Sequence, residues 1–225
     1  MKKKIIFIAD KEQVPNGGAE CVNENLINIL KDKGYGVQKE KSTTLSLSTL
    51  KKNKHFPIIV GNFYLLSEKI KQELIKENYN YIIYEHDHKY APERNPGKYK
   101  DFLVPEDVIT NKLFYENSSK VICQCKHHQE IVEKNLKIDN ILNLGYSLWS
   151  QEFLDNISKV DITNKQGIAI IKSDNPIKNQ HGAELFCKSN NLAYTLISSE
   201  SPLGLAKEMA KYEKIVYLPK VPESF

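Results

Sequence analysis

The densest run of side chains capable of chemistry is Glu85-His86-Asp87-His88, directly after the apolar stretch "YIIY". Histidine can donate to a hydroxyl or carry a proton near neutral pH. Carboxylates beside it can orient a polyhydroxyl substrate. Four such groups at the end of a strand are costly to bury and natural in a cleft. A metal bound by His86, Asp87 and His88 is disfavoured, because neighbours on a strand point to opposite faces and chelate poorly. The competing reading is a polar loop with one satisfied histidine. A second group, "CQCKHHQE" from Cys123 to Glu130, has the residue types of a metal site. It lacks the two C-x2-C pairs of a closed zinc centre, so buried free thiols at a strand end are expected instead. No metal is expected.

Other candidates are spread along the chain. Gly17 and Gly18 stand side by side just before a helix start. Glycines there let the backbone approach an anion or a sugar hydroxyl, and the helix start adds free N–H donors. The alternative is a glycine turn that only orders the chain into the helix. The pattern is neither G-x-G-x-x-G nor a P-loop. Lys172 and Lys178, six apart in "KSDNPIKNQHGAE", could clamp a diphosphate as point charges, or simply lie on the surface. Glu223, after Pro222, could bind sugar or ribose hydroxyls.

These residues need elements to position them. Apolar runs at Ile5–Ala9, Val37–Ser42, Phe56–Asn62, Tyr81–Asp87, Lys120–Gln124 and Asn140–Gly145 read as strands. Helices are expected between them at Ala19–Lys33, Leu65–Asn78, Pro105–Asn117 and His127–Leu136. The amphipathic "WSQEFLDNIS" and polar "KVDITNKQ" read as a linker over 150–166. Alternation then restarts, with strands at Gly167–Ile171, Tyr194–Ser198 and Lys214–Leu218 and helices at Gln180–Asn190 and Pro202–Lys211. Strict alternation predicts α/β architecture with parallel sheets covered on both faces. Strands such as "IIFIA" and "PIIVG" are apolar on both sides, as buried parallel strands are. Ligands of such sheets bind beyond the carboxyl ends of the strands, where most of the candidates fall. The expected domains are 1–149 and 167–225.

The order of these pieces, "PNGGAE", "EHD", "SKVICQCKHHQEIVEKNL", "ILNLGYS", "KSDNPIKN" and "VYLPKVPESF", resembles the retaining nucleotide-sugar glycosyltransferases of GT-B fold, family four. The likeness runs over nearly the whole chain, and the order of the motifs is more specific than any one of them. It implies two Rossmann-like domains facing each other across a cleft, the second incomplete. It implies transfer of a sugar from a nucleotide-diphosphate sugar to a glycan or other hydroxyl acceptor, with no cofactor. Gly17 and Gly18 match the loop that approaches the donor. His86 matches the histidine near the reacting carbon, and Lys178 the lysine that binds the diphosphate, with Lys172 near the usual arginine of that pair. Glu223 matches the first glutamate of the family's Glu-x7-Glu motif, so His86 and Glu223 are the expected catalytic pair. Cys125 replaces a usual serine. Glu85, Asp87, His88 and Arg94 are acceptor-side candidates. The sequence ends at Phe225, inside the Glu-x7-Glu motif, so a C-terminal truncation is expected. That leaves a non-catalytic binding module or half of a heteromer as the alternative, and a sugar-nucleotide epimerase as a third reading.

Bulk composition sets the remaining bounds. The 225 residues are 40% hydrophobic and 27% charged, with net charge +4. No basic stripe interleaves with aromatics, so nucleic acid is not an expected partner. No apolar run nears the roughly 18 residues of a membrane span. The apolar run after Lys2–Lys4 is too short for a signal peptide. Four scattered cysteines fit a reducing compartment, and the cytoplasm is expected. Peripheral membrane contact and a homo-oligomer stay open.

Overall fold

The fold is given by a computed structural model that describes residues 3–10 and 18–221. It is α/β, with two parallel sheets. The chain divides into two compact units, the first within residues 1–148 and the second beginning at Trp149.

In the first unit the strands are β1 (Lys4–Ala9), β2 (Gly36–Lys41), β3 (Ile58–Val60), β4 (Tyr81–Tyr84), β5 (Lys120–Cys123) and β6 (Ile141–Asn143). The helices are α1 (Gly18–Asp32), α2 (Leu47–Lys52), α3 (Glu68–Lys76), α4 (Lys112–Glu116) and α5 (Lys126–Leu136). The sheet order is β2-β1-β3-β4-β5-β6, all parallel. Registers such as Ile6 opposite Ile58 and Ile83 opposite Val121 align the apolar residues across it. Ile8, Ile58, Val60, Tyr81, Ile83 and Val121 are fully buried on one face of the sheet, and on the other face Ile5, Phe7 and Tyr84 are buried while Ile59, Ile82 and Ile122 are partly buried, so the short strands carry apolar side chains on both faces. Each such side chain contributes about 1.5–3 kcal/mol on burial.

Ser46 and Ser67 start α2 and α3 by accepting the N–H of Thr49 and Ile70. The sequence expected no helix at α2. It expected one continuous helix over 105–117, which is not formed. A 3-10 turn at Glu106–Val108 is followed by a break, and α4 begins only at Lys112. The β-branched run Val108-Ile109-Thr110 disfavours helix. Asn111 then takes a left-handed conformation with φ 56°. Its side chain donates to the Lys89 carbonyl at 2.8 Å and accepts from Lys71 at 2.7 Å. Those tertiary bonds replace the helical ones.

The second unit contains α6 (Gln151–Ile157), β7 (Ile168–Ile171), α7 (Gln180–Ser189), β8 (Thr195–Ile197), α8 (Pro202–Met209) and β9 (Lys214–Val216). Its sheet order is β8-β7-β9, again parallel. α6 lies in the stretch expected as a linker and packs against α8. The core is small: Ile170, Ala183 and Cys187 are buried, with Ile168, Leu192, Tyr194 and Val216 against them. No helix among the described residues is long and apolar enough to cross a membrane.

Both sheets reverse their winding beside the first strand of the unit. In the first unit β1 is followed by β2 on one side and β3 on the other. In the second, β8 and β9 flank β7. Loops diverge at such a point and leave a crevice beyond the carboxyl ends. The two crevices are therefore set by Asp10 and Gly61 in one unit, and by Lys172 and Tyr217 in the other.

Candidate functional site

In the first unit the strand ends are tied together by short polar contacts. Asp10, just past β1, is buried and accepts the Leu65 N–H at 3.1 Å, which fixes the segment after β3. Gly61 ends β3. A Cβ there would meet Asn23 Oδ1 and the Phe7 ring at 2.7 Å, so only glycine lets α1 come this close. Gly18 opens α1, and a Cβ on it would meet nothing within 4 Å, so packing does not demand glycine there. Gly17 and Glu223 lie outside the described residues.

His86 sits beyond β4 in a hydrogen-bonded chain. Ser147 Oγ donates to Gln124 Oε1 at 2.9 Å, which leaves Gln124 Nε2 facing His86 Nδ1 at 3.3 Å. Nδ1 is then the acceptor, and Nε2–H donates to Asn23 Oδ1 at 2.9 Å. With the Gln124 amide in this orientation the ring is neutral and protonated on Nε2. Burial, and then the nearby Lys89 ammonium, lower its pKa to about 3. His86 is suited to donate a hydrogen bond, not to exchange protons near pH 7. The residues of this chain come from α1, β4, β5 and the loop after β6. Sequence reading named His86 as a candidate and did not name its hydrogen-bonded neighbours Asn23, Gln124 and Ser147. The signal for Gln124 was its place at the end of a strand, hidden between two cysteines that drew attention as metal ligands.

The other three members of the run do not share a cleft, contrary to expectation. Glu85 is fully buried and accepts hydrogen bonds from the Tyr115 hydroxyl and, at 2.9 Å, from the Asp87 N–H. Its Oε1 lies 3.7 Å from the equally buried Lys89 ammonium. Burial alone would raise this carboxyl; Lys89 above all, with His128 and the Tyr115 hydroxyl, outweighs it and holds the group well below its usual range. His88 is also buried, in a left-handed conformation with φ 54°, its Nδ1 3.0 Å from the Tyr90 hydroxyl and its ring 4.5 Å from that of His128. Burial lowers the pKa of His88 to about 3 and lowers that of His128 as well. Glu85 and His88 therefore face the protein, not an acceptor. The chain turns inward after Tyr84, which places Tyr115, from α4, and His128, from α5, around them. Asp87 and Arg94 do reach the surface, paired at 2.5 Å, and Asp87 also meets Lys89.

The cysteine-histidine cluster is not gathered round one point. Cys123 is fully buried and burial pushes its thiol up, while Cys125 opens α5 and is half-buried. Among the described residues, no group of three or more His, Cys, Asp or Glu side chains is placed to hold a metal ion.

In the second unit, Lys172 is exposed directly after β7, and Lys178 closes the 3-10 turn Pro176–Lys178 before α7. The Lys178 ammonium lies 5.8 Å from the centroid of the Tyr217 ring, just after β9. Asn179 precedes α7 in a left-handed conformation, φ 54°, and its Nδ2 donates to the Leu218 carbonyl at 2.8 Å instead of its Oδ1 capping the helix. The first turn of α7 thus has no side-chain cap, beside a lysine, at the carboxyl end of the sheet.

No family model matches the chain, and no curated protein does. Among solved structures, one similar chain is described as an alpha-glucosyltransferase in complex with UDP and a 13-mer DNA containing a central A:G mismatch. The TM-score is 0.46 at 12% identity, over 97% of this chain and 64% of that one. The present chain therefore spans just under two thirds of that protein, and a likeness of this grade assigns neither substrate nor reaction.

Proposed function

We propose that the chain carries the sugar and diphosphate sites of a glycosyltransferase that uses a nucleotide-diphosphate sugar, retains the anomeric configuration and needs no metal. The observation that carries this reading is the buried, neutral His86 beyond the carboxyl end of β4, hydrogen-bonded to Asn23 and Gln124. A neutral imidazole with one N–H to give suits recognition of a sugar hydroxyl. On binding, that hydroxyl replaces Asn23 Oδ1 as the acceptor of the Nε2–H bond.

The second unit, taken by itself, offers a candidate diphosphate site. Departure of a nucleoside diphosphate leaves negative charge on its phosphate oxygens. Lys178, Lys172 and the uncapped N–H groups of α7 supply positive charge and donors there, a task that in other enzymes falls to a divalent ion. Gly17 and Gly18 approach the donor, and Glu223 binds hydroxyls of its sugar or ribose. The small core of the second unit favours one further reading, a module that binds nucleotide without turnover.

A thermal-shift titration with UDP, GDP, ADP and their sugar conjugates, with and without EDTA, tests this. A nucleotide-dependent rise that survives EDTA supports the donor site; no shift on a cooperatively melting chain removes it. Lys178→Ala is expected to weaken nucleotide-diphosphate binding about 10- to 100-fold, as for a lost charge-assisted bond. Unchanged affinity would take Lys178 out of the site. Release of free sugar or transfer to an acceptor separates the enzyme from the binding module.

A further inference from the structure

The segment between β3 and α3 is held more firmly than its exposure requires. Phe63 is buried and packs edge-on against Phe114 and Tyr115, with centroids 5.1 Å and 5.6 Å away. Leu66 is buried too. Asp10 grips the Leu65 N–H, and Ser42 Oγ donates to the Asn62 carbonyl at 3.2 Å. Between these anchors Tyr64 is turned outward and is 62% exposed, at the lip of the β1–β3 crevice.

The Arg94 guanidinium lies 4.8 Å from the centroid of the Tyr64 ring. Arg94 is delivered by two successive left-handed residues, Glu93 at φ 52° and Arg94 at φ 55°, neither of them glycine. Backbone in this region is held only where its surroundings demand it. The restraint here is Asp87, next to His86 in the chain, which takes Arg94 Nη1 at 2.5 Å. Among the described residues the Nε and Nη2 groups of Arg94 make no hydrogen bond, and 39% of the side chain is exposed. An aromatic face and an arginine edge are therefore fixed side by side, and the arginine is tied to Asp87, the residue that follows His86 in the chain.

We propose that Tyr64 and Arg94 form the acceptor subsite and that it takes an acidic saccharide. The apolar C–H face of a pyranose stacks on the exposed part of the Tyr64 ring, and a carboxylate or phosphate on that sugar accepts from the Nε and Nη2 edge of Arg94. Arginine suits this because its planar fork matches an oxyanion while its face lies on an aromatic ring. The proposal rests on the glycosyltransferase reading, which supplies the reason for an acceptor subsite on this unit.

Saturation-transfer NMR on the full chain tests it without turnover, with D-glucuronic acid, glucose 6-phosphate and glucose as separate probes. We expect signal on the ring protons of the acidic sugars and at least fivefold less for glucose. A response to glucuronic acid alone, or to glucose 6-phosphate alone, supports the subsite and names the anion. Tyr64→Ala should remove at least four fifths of the signal, and Tyr64→Phe should keep it, because the ring face and not the hydroxyl is used. Arg94→Gln should reduce the acidic sugars to the level of glucose, with Arg94→Lys between. Equal response to all three sugars, absence of response on a folded chain, or an unchanged signal in a folded Tyr64→Ala variant overturns the proposal. The nucleotide titration is read separately on the same variants. Acidic-sugar binding with no nucleotide binding would sink the donor site and leave this one standing, and the reverse result would do the opposite.

Discussion

Lys89 and Glu85 show how one residue can decide whether a neighbourhood is a site or a support. Both are buried, 3.7 Å apart, and the carboxylate is completed by Tyr115. Removing one partner strands the other charge. Lys89→Met is therefore expected to lower stability by about 3–5 kcal/mol, and the double variant Lys89→Met with Glu85→Gln to recover much of that loss, measured by urea unfolding. Equal destabilisation in the single and double variants would show that the ion pair does not govern the region. The histidines give a pH signature. His86 and His88 have pKa values near 3 when folded, and that of His128 is lowered too. The unfolded chain, with ordinary histidine values near 6.5, binds more protons below that pH. Stability is then full above about pH 7 and falls as pH drops from 6.5 toward 3, by up to about 1.4 kcal/mol per pH unit for each histidine. The urea midpoint should fall clearly between pH 7 and pH 5; a flat profile would contradict neutral buried imidazoles. At this scale the sequence was half legible. The types and placement of residues 85–88 marked a special strand end. Which of them faced inward depended on Tyr115 and His128, 30 and 40 or more residues away, and no local pattern carries that.

The elements were the most legible part, because apolar runs of the β1 and β4 kind leave few alternatives to a buried parallel strand. Errors came where a tertiary bond outbid local preference. The helix expected over 105–117 breaks because Asn111 holds the Lys89 carbonyl and Lys71. The strand expected through Asp87 stops at Tyr84 because the next residues turn into the core. The contact of α1 with the end of β3 was not visible either, although Gly61 was its trace. Gly61→Ala is expected to cost about 1–3 kcal/mol, since the added methyl meets both the Phe7 ring and Asn23. It should also shift the His86 imidazole resonances, because Asn23 accepts from that ring. Full stability with unshifted resonances would mean that α1 is not seated by this glycine.

Across the whole molecule, the two units differ in how much apolar surface they enclose. The first buries one large cluster around β3, β4 and β5, including Tyr81, Phe63, Phe114 and Tyr115. The second has Ile170, Ala183 and Cys187 as its buried centre. Small cores open more readily. Amide hydrogen exchange should be markedly faster in β7, β8 and β9 than in β3, β4 and β5, and nucleotide should slow it in β7 and the start of α7. Equal protection in both units would contradict this. Alternation of strand and helix made both sheets readable from the sequence, and the roughly 60 residues of the second unit already pointed to a thin core, while which of its faces meet was not readable because that is set by tertiary packing.

The bonds from Ser147 through Gln124 and His86 to Asn23 all run in one sense, each member giving to the next. Such a line has a polarity, and its dipoles reinforce one another. It can be reversed only as a whole. Turning the Gln124 amide over would ask the imidazole to move its proton from one nitrogen to the other and Asn23 to present its amide instead of its oxygen. The hydroxyl of Ser147, in the loop after β6, can give or accept and so follows either sense, while the imidazole must shift its proton from one nitrogen to the other for the line to turn over.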